Sequence, residues 1–188
     1  ILTRDVSEVH RHEQELMTKD ATIREIHHRV KNNLQTVSAL LRLQSRRSSE
    51  EAVKVALAEA ERRVQAIATV HAALSQNVDE SVDFDEVART IVRMAGAIAS
   101  TDHAVEVITT GSFGTIQADQ AQALATVLNE LVANSVEHGL ADRDGLIEVR
   151  AEREGASMTV TVADDGVGFV PGTPMSGLGT QIVHQMVR

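Results

Sequence analysis

The sequence predicts an α plus α/β chain, with a long helical hairpin first and a mixed domain of helices and strands after it. No glycine or proline precedes Gly96, so all 11 glycines and both prolines lie in the second half. Apolar residues recur three and four positions apart in the first half and alternate in short runs in the second. Apolar residues make up 43% of the chain and aromatic residues only 2%, so the predicted core is aliphatic.

The first helix is predicted from a heptad seam that polar residues interrupt toward its N-terminal end. The seam positions are Val6, Val9, Glu13, Leu16, Asp20, Ile23, His27, Val30, Leu34, Val37, Leu41 and Gln44. A break follows in "RRSSEE" at 46–51. Ser48 and Glu51 have the spacing of a capping box there, which would start the next helix.

The second helix is predicted from a second seam, formed by Val53, Leu57, Ala60, Val64, Ile67, His71 and Leu74. Two long helices with a short connection form an antiparallel hairpin. One hairpin exposes an apolar face, and pairing two hairpins into a four-helix dimer would cover it. A plain coiled-coil dimerisation module fits this half of the chain equally well.

The second half is predicted to contain both helices and strands. A helix with Asp83 or Asp85 as its N-cap precedes a strand, and a long helix then ends at Gly139. Two strands joined near Glu154–Gly155 come next, and a last helix opens after glycines. In chain order, these segments are 82–99, 104–110, 118–140, 146–165 and 177–187.

The charge is uneven along the chain. Residues 1–77 carry 12 Lys/Arg and 10 Asp/Glu, a net of +2, whereas residues 78–188 carry 6 and 17, a net of −11. An acidic, aromatic-poor chain is a poor candidate for nucleic-acid binding, because phosphate backbones require clustered Lys and Arg. No cysteine and no run of 18 apolar residues occurs, so we expect a soluble, cytoplasmic fragment without membrane contact.

Two adjacent histidines in "EIHHRVKNNLQ" at 25–35 differ in their predicted surroundings. On a helical wheel the apolar side chains of this region fall within a sector of roughly 80°. His27 lies beside that sector, on the seam, where a packed or hydrogen-bonded histidine is expected. His28 points about 150° from the sector's centre, among polar side chains. A phosphoryl acceptor must be exposed to its donor and have a free ring nitrogen, so His28 fits that role and His27 does not.

Three short motifs in the second half have the residue types of a nucleotide site. "NELVANSVEHG" at 129–139 places Glu130 and Asn134 on one helical face, where the amide can hold Mg²⁺ and the carboxylate can orient an attacking group. "DDGVG" at 164–168 follows a predicted strand and offers an aspartate that can accept from an adenine amino group. "SGLG" at 176–179 precedes a helix, so backbone can approach phosphates closely. Each motif alone is weak, but their order and spacing together predict an ATP site.

The three motifs resemble the N, G1 and G2 boxes of the GHKL ATP-binding fold, which histidine kinases share with type II topoisomerases, MutL-type repair proteins and heat-shock chaperones. "EIHHRVKNNLQTVSALLRLQSRR" at 25–47 resembles the phosphoacceptor box of a histidine-kinase subclass related to the HWE kinases. Because the chain has no Trp, it resembles the sister subclass rather than the strict HWE group. It is further similar to PdtaS-type sensor kinases, whose partner regulators carry a receiver domain and an RNA-binding ANTAR output domain.

The resemblance covers nearly the whole chain and implies a sensor histidine kinase of a two-component system, dimeric through its hairpin and using ATP with Mg²⁺. His28, followed by Arg29 as in the family's His-Arg-x-Lys-Asn pattern, would be the phosphoacceptor. Glu130 would act as the polarising carboxylate and Asn134 would ligate Mg²⁺. The nucleotide pocket would be completed by His138 near the phosphates, Asp164 at the adenine, and the pocket-shaping Gly166, Gly168, Gly177, Leu178 and Gly179.

The implied division of the chain has three parts. Residues 1–22 would be a signal-transmitting coiled-coil linker, residues 23–78 the dimerisation and phosphotransfer hairpin, and residues 79–188 the ATP-binding α/β sandwich. Two features depart from the family pattern. The predicted ATP lid between Phe169 and Gly177 is short, and the chain stops at Arg188 before the family's closing strands, so we expect the ATP-binding domain to be incomplete at its C-terminus.

Two alternative functions remain open. Another GHKL ATPase, or a serine kinase of the anti-sigma type, would use the same pocket but gives no role to the box around His28. A degenerate kinase would dimerise and dock a partner without phosphorylating itself. The presence of Glu130, Asn134 and Asp164 argues against that second alternative.

Overall fold

The computed structural model describes residues 6–76, 81–96, 103–141, 143–155 and 157–168. Two long helices come first, and a domain of short helices and strands follows. In chain order, the elements are α1 (Val6–Arg47), α2 (Glu51–Leu74), β1 (Ser81–Asp83), α3 (Phe84–Gly96), β2 (Val105–Gly111), β3 (Thr115–Gln117), α4 (Ala118–Asn134), a π-helical turn (Ser135–Gly139), β4 (Gly145–Glu154) and β5 (Ser157–Asp164).

Helices α1 and α2 form the predicted hairpin. The seam residues His27 and His71 meet between the helices, whereas Val37 and Val53, also predicted for the seams, are exposed. The side-chain amide of Gln65 on α2 donates to the hydroxyl of Ser38 on α1 at 2.9 Å, and Ser38 is fully buried. Nearer the connection, Arg42 is paired with Glu61. Because the cross-links join increasing numbers on α1 to decreasing numbers on α2, the helices are antiparallel.

The predicted capping box at the start of α2 is wrong. The helix begins at Glu51, and the residue in the N-cap position is Glu50, which makes no side-chain capping hydrogen bond. The Ser48 hydroxyl instead accepts from the Glu50 backbone N–H at 3.2 Å. Ser48 lies two residues too early to reach the free N–H groups of the first helical turn, so its hydroxyl stabilises the connecting turn instead.

The second domain contains a mixed three-stranded sheet in the order β2-β4-β5. β4 lies parallel to β2 and antiparallel to β5. The predicted hairpin between β4 and β5 is confirmed, and its turn uses Gly155 at a φ of 59°, a conformation that glycine adopts without strain. The sequence did not predict β1 and β3, which pair antiparallel as a separate two-stranded ribbon.

The two candidate N-caps of α3 have different roles. Asp83 Oδ1 accepts from the backbone N–H of Asp85 at 3.1 Å, so Asp83 caps the helix. Asp85 reaches instead to the loop after β2, where it accepts from the Ser112 hydroxyl at 2.7 Å and the Phe113 N–H at 2.8 Å. Burial opposes ionisation of this carboxyl, but these hydrogen bonds prevail and lower the pKa of Asp85.

The hydrophobic core is continuous from the hairpin into the second domain. Val70 and Leu74, in the last turns of α2, are buried in the same cluster as Phe84 and Val87 of α3 and Ile147 of β4. The C-terminal end of α2 therefore contributes to the core of the sheet domain and joins it to the hairpin. Among the described helices, none has both the length and the apolar character needed to cross a membrane.

Candidate phosphotransfer and nucleotide site

The predicted difference between the two histidines is confirmed. His28 is exposed on α1, whereas His27 is half-buried against α2. The Nδ1 atom of His27 lies 3.1 Å from Nδ1 of His71, and the two rings are 5.3 Å apart between centroids. One of these nitrogens must donate a proton and the other accept it, so His27 already has a partner for its Nδ1 atom. Burial, and secondarily the neighbouring His27, lowers the pKa of His71.

The surface around His28 is polar and open. Arg29 pairs with Glu25 one turn earlier, through Nε and Oε1 at 2.9 Å, and both side chains are largely exposed. A groove of about 260 Å³ lies between the hairpin and α3, with Lys31 and Gln35 on its α1 wall. These two residues lie three and seven positions after His28, so the groove opens on the same side of α1 as His28.

The motif at 129–139 forms the end of α4 and the π-helical turn after it. Glu130 is buried, Asn134 is half-buried and His138 is exposed. The turn is closed by the hydrogen bond from the Leu140 N–H to the Ser135 carbonyl at 2.9 Å, a spacing of five residues. Such insertions recur at functional sites because they shift the side chains that follow them around the helix axis. Glu130 and Asn134 thus precede the π-helical turn, and His138 lies within it.

The second motif lies directly against the end of the first. The Val167 N–H donates to the carbonyl of Gly139 at 3.1 Å, and the Gly166 N–H donates to Oδ1 of Asp164 at 3.0 Å. A side chain at Gly139 would clash with Asp164, and one at Gly166 would clash with the Gly139 backbone. Glycine is required at 166, where the obstacle is the backbone of Gly139, whereas a side chain at 139 would require the Asp164 carboxylate to move. Two motifs separated by 25 residues in sequence, 139 to 164, therefore form one site.

The described residues fit an ATP site in part. Among them, Asp164 is exposed and its Oδ2 atom has no hydrogen-bond partner, so it can accept from an adenine amino group. Gly168, at a φ of 69°, has open space on the side where a Cβ would stand. No group of three or more acidic or histidine side chains in the described part of the chain could hold a metal by itself. Mg²⁺ held by Asn134 would thus depend on phosphate oxygens and water for its other ligands.

The sequence did not predict what Glu130 contacts. Both of its carboxylate oxygens are taken by Arg63 of α2, with Nε to Oε1 at 2.7 Å and Nη2 to Oε2 at 3.1 Å. The preceding residue, Arg62, pairs with Glu137 at 2.9 Å. Both arginines lie outside the apolar seam of α2, at positions where charged side chains are usually exposed to solvent. The sequence feature that could have indicated these contacts is the pair of adjacent arginines in an otherwise alanine-rich helix.

Three predicted pocket residues, Gly177, Leu178 and Gly179, lie outside the described residues. The same holds for the predicted lid between Phe169 and Gly177 and for the last predicted helix, 177–187. The structure thus brings Gly139, Asp164 and Gly166 together, with Asn134 one helical turn before Gly139.

Two family models match the chain. A model described as a histidine kinase matches residues 25–98, and a model described as a histidine kinase-like ATPase domain matches residues 96–188. The first match begins three residues before His28. The second contains Glu130, Asn134 and Asp164.

Curated relatives match along the whole chain. A sensor histidine kinase called PdtaS from Mycobacterium tuberculosis is 48% identical over 192 aligned positions, which include 100% of this chain and 38% of the relative. A PdtaS from Mycolicibacterium smegmatis is 47% identical with the same coverage. A blue-light-activated histidine kinase from Erythrobacter litoralis is 28% identical over 90% of this chain and 51% of the relative. The chain therefore spans about two fifths of the length of its PdtaS relatives.

Solved structures support the fold. The blue-light-activated histidine kinase EL346 from Erythrobacter litoralis superposes with a TM-score of 0.61 at 22% identity, covering 88% of this chain and 51% of that one. Its separate histidine kinase domain gives a TM-score of 0.54 at 21% identity, covering 92% and 83%. The exposed histidine on a hairpin and the two family models, which together match residues 25–188, lead to one conclusion: this chain belongs to the sensor histidine kinases.

Proposed function

We propose that this chain is the catalytic core of an ATP-dependent protein-histidine kinase that phosphorylates itself on His28 and passes the phosphoryl group to an aspartate of a response regulator. The observation that supports this most strongly is the difference between the two adjacent histidines. His27 is engaged with His71, while His28 stands exposed on a hairpin that is docked to an ATPase-type domain. A nucleophile that receives phosphate from a separate domain requires that exposure.

Each site residue has a role in this proposal. Bound ATP with Mg²⁺ would supply the transferable phosphoryl group and neutralise its charge. Asn134 would hold the metal, with His138 near the phosphates, and Asp164 would accept from the adenine amino group. Glu130 would accept a hydrogen bond from the N–H of one ring nitrogen of His28. This interaction keeps the lone pair of the other ring nitrogen available for attack. Most of the rate enhancement would come from positioning, since the protein contributes little covalent chemistry.

The proposed domain division follows from these roles. Residues 1–22 would carry the signal, residues 23–78 would carry the phosphoacceptor and form the dimer, and residues 79–188 would bind ATP. The homodimer is supported by large apolar side chains that a single hairpin leaves exposed. Ile26 is 52% exposed, Val37 is 43% exposed and Leu40 is 54% exposed, and all three lie on α1. A second copy would bury them.

The proposed partner is the receiver domain of a response regulator, with an RNA-binding ANTAR domain as its output. This proposal comes from the similarity to PdtaS, and it assigns nucleic-acid binding to the regulator rather than to this acidic chain. The receiver would dock beside His28, where α1 is polar and open. We propose that the reaction takes place in the cytoplasm, where ATP is available.

A second candidate function is a degenerate kinase that docks a partner without phosphorylating itself. One observation favours it: both oxygens of Glu130 are engaged by Arg63 and are therefore not free to act on a histidine. Another GHKL ATPase or a serine kinase is the third candidate, but neither gives the His28 surface a role.

Incubation of the purified protein with γ-labelled ATP separates these functions. We expect label that is stable to base and labile to acid in the wild type and in His27→Gln, and no label in His28→Gln. A degenerate kinase would stay unlabelled although it binds nucleotide. Label that persists unchanged in His28→Gln would overturn the proposal, and acid-stable label would indicate a serine kinase.

A further inference from the structure

Two ion pairs join the hairpin to the ATPase domain. Arg63 of α2 holds Glu130 of α4 through two parallel hydrogen bonds, of 2.7 and 3.1 Å. Its neighbour Arg62 holds Glu137 through a single contact of 2.9 Å. The two arginines are adjacent and the two glutamates are seven residues apart, so the pairs lie side by side on one face of contact between the domains.

Both pairs are partly shielded from solvent, and in the Arg62–Glu137 pair the exposed fraction of the side chain is 18% for Arg62 and 31% for Glu137. The exposed fraction of the side chain is 16% for Arg63 and 10% for Glu130. Ion pairs in such surroundings are screened less by salt than surface pairs are. The two-pronged geometry of Arg63 also fixes the orientation of the carboxylate, which a lysine could not do. This contact is therefore a specific one.

The docked arrangement keeps Glu130 away from His28. Arg63 lies eight residues before His71 on α2, which corresponds to about 12 Å along the helix axis. His71 contacts His27, the neighbour of His28. Glu130 is therefore held at a different position along the hairpin axis from His28. Both of its carboxylate oxygens accept hydrogen bonds from Arg63. A carboxylate in this state cannot accept a proton from His28.

Another part of the contact between α2 and the second domain is apolar. Val70 and Leu74, at the C-terminal end of α2, are buried in one cluster with residues of α3, α4 and β4. Arg62 and Arg63 lie about two helical turns before them. Opening the ion pairs while the apolar contact stays closed would pivot the ATPase domain about the end of α2. The ionic part of the contact can therefore release without loss of the core.

We propose that Arg62 and Arg63 form an autoinhibitory latch, which holds the ATPase domain docked with Glu130 withheld from His28. The role of Glu130 rests on the proposed function, whereas the docking by the two arginines does not. In the resting state Arg63 neutralises Glu130 and Arg62 neutralises Glu137. Transfer to His28 requires Arg63 to release Glu130, and loss of the neighbouring Arg62–Glu137 pair makes that release easier. A signal arriving through α1 would therefore act by displacing α2 from α4.

The test changes the Arg62–Glu137 pair, because neither of these residues has a proposed catalytic role. The chain has no cysteine, so Ser49→Cys and Gln122→Cys, both at exposed positions, place one spin label on the hairpin and one on α4. Distances are measured by pulsed electron resonance in the wild type, Arg62→Glu, Glu137→Arg and the doubly exchanged variant. Arg150→Gln breaks a 2.8 Å ion pair to Glu148 within the sheet and serves as the matched control.

We expect Arg62→Glu to lengthen and broaden the distance distribution and to raise the rate of His28 phosphorylation several-fold. The doubly exchanged variant should restore the wild-type distance distribution and the wild-type phosphorylation rate. Arg150→Gln should change neither the distances nor the rate. Unchanged distances in Arg62→Glu would overturn the latch, and so would longer distances without faster phosphorylation. If no variant, including the wild type, is phosphorylated, then the proposed function fails, while the distances still decide whether the arginines hold the domains together.

Discussion

Replacing Gly166 with alanine should disrupt the site where the two nucleotide motifs meet. The new Cβ would lie 2.5 Å from the carbonyl carbon of Gly139 and 2.7 Å from Oδ1 of Asp164. Comfortable contact between carbon atoms begins near about 3.5 Å. The segment after Asp164 must therefore move about 1 Å away from Gly139, because the obstacle is backbone and cannot rotate aside.

The magnitude follows from the hydrogen bonds that this movement breaks. The Val167 N–H to Gly139 carbonyl bond, now 3.1 Å, would exceed hydrogen-bonding distance, and the 3.0 Å bond from the Gly166 N–H to Asp164 would weaken. Each contributes about 0.5–1.5 kcal/mol net, so the docked segment loses about 1–3 kcal/mol. If ATP binding requires the segment in place, its affinity should fall by roughly tenfold to a hundredfold.

Calorimetric titration with ATP and Mg²⁺, together with thermal unfolding, measures this effect. Gly155→Ala is the matched control, because Gly155 has a φ of 59° and open space around its missing side chain, far from the site. The control should lower stability by about 1 kcal/mol for the backbone conformation alone and leave nucleotide affinity unchanged. Equal nucleotide affinities in Gly166→Ala and wild type would show that Gly139, Asp164 and Gly166 do not form the ATP site.

Three further predictions concern stability and its pH dependence. Burial, and secondarily His27, lowers the pKa of His71, so the unfolded chain binds a proton at His71 more readily than the folded chain does. The free energy of unfolding should therefore be greatest above pH 6.5, the usual pKa of histidine, and should fall as the pH drops below 6.5. Thermal midpoints between about pH 8 and about pH 5.5 should show this decline, and His71→Gln should flatten it; an unchanged slope would mean that other groups cause it. Asp85→Ala should lower the free energy of unfolding by about 1–3 kcal/mol in denaturant titrations, because the Phe113 N–H and the Ser112 hydroxyl lose their acceptor; a change within error would contradict those bonds. Arg42→Ala should cost less than about 1 kcal/mol in the same titrations, because its pair with Glu61 is largely exposed on the arginine side; a larger loss would show that the pair is more shielded than its exposure indicates.

Features governed by local periodicity could be predicted from the sequence. The phase of α1 separates His27 from His28, because neighbouring helical residues point about 100° apart. The alternation and the glycine at position 155 predict the hairpin of β4 and β5. The end of the long helix at Gly139 is confirmed in the same way, although its last turn is π-helical.

Features that depend on distant partners could not be predicted. Strands β1 and β3 are three residues each. They form only because Ser81–Asp83 pairs with Thr115–Gln117, which follows α3 and β2 in the sequence. The pair of Arg63 with Glu130 joins residues 67 apart in sequence, and no local pattern specifies it. The predicted capping box was wrong because Ser48 has the right spacing to Glu51, but α2 begins at Glu51 with Glu50 in the N-cap position.

The residue of this chain that carries phosphate after exposure to ATP decides whether His28 is the phosphoacceptor. The measurement is fragmentation mass spectrometry at neutral pH on the ATP-treated protein, under conditions that preserve phosphohistidine and cleave between His27 and His28. We expect the added mass to lie on His28, with His27 and His71 unmodified. Phosphate on His27, on His71 or on a serine or threonine would contradict it.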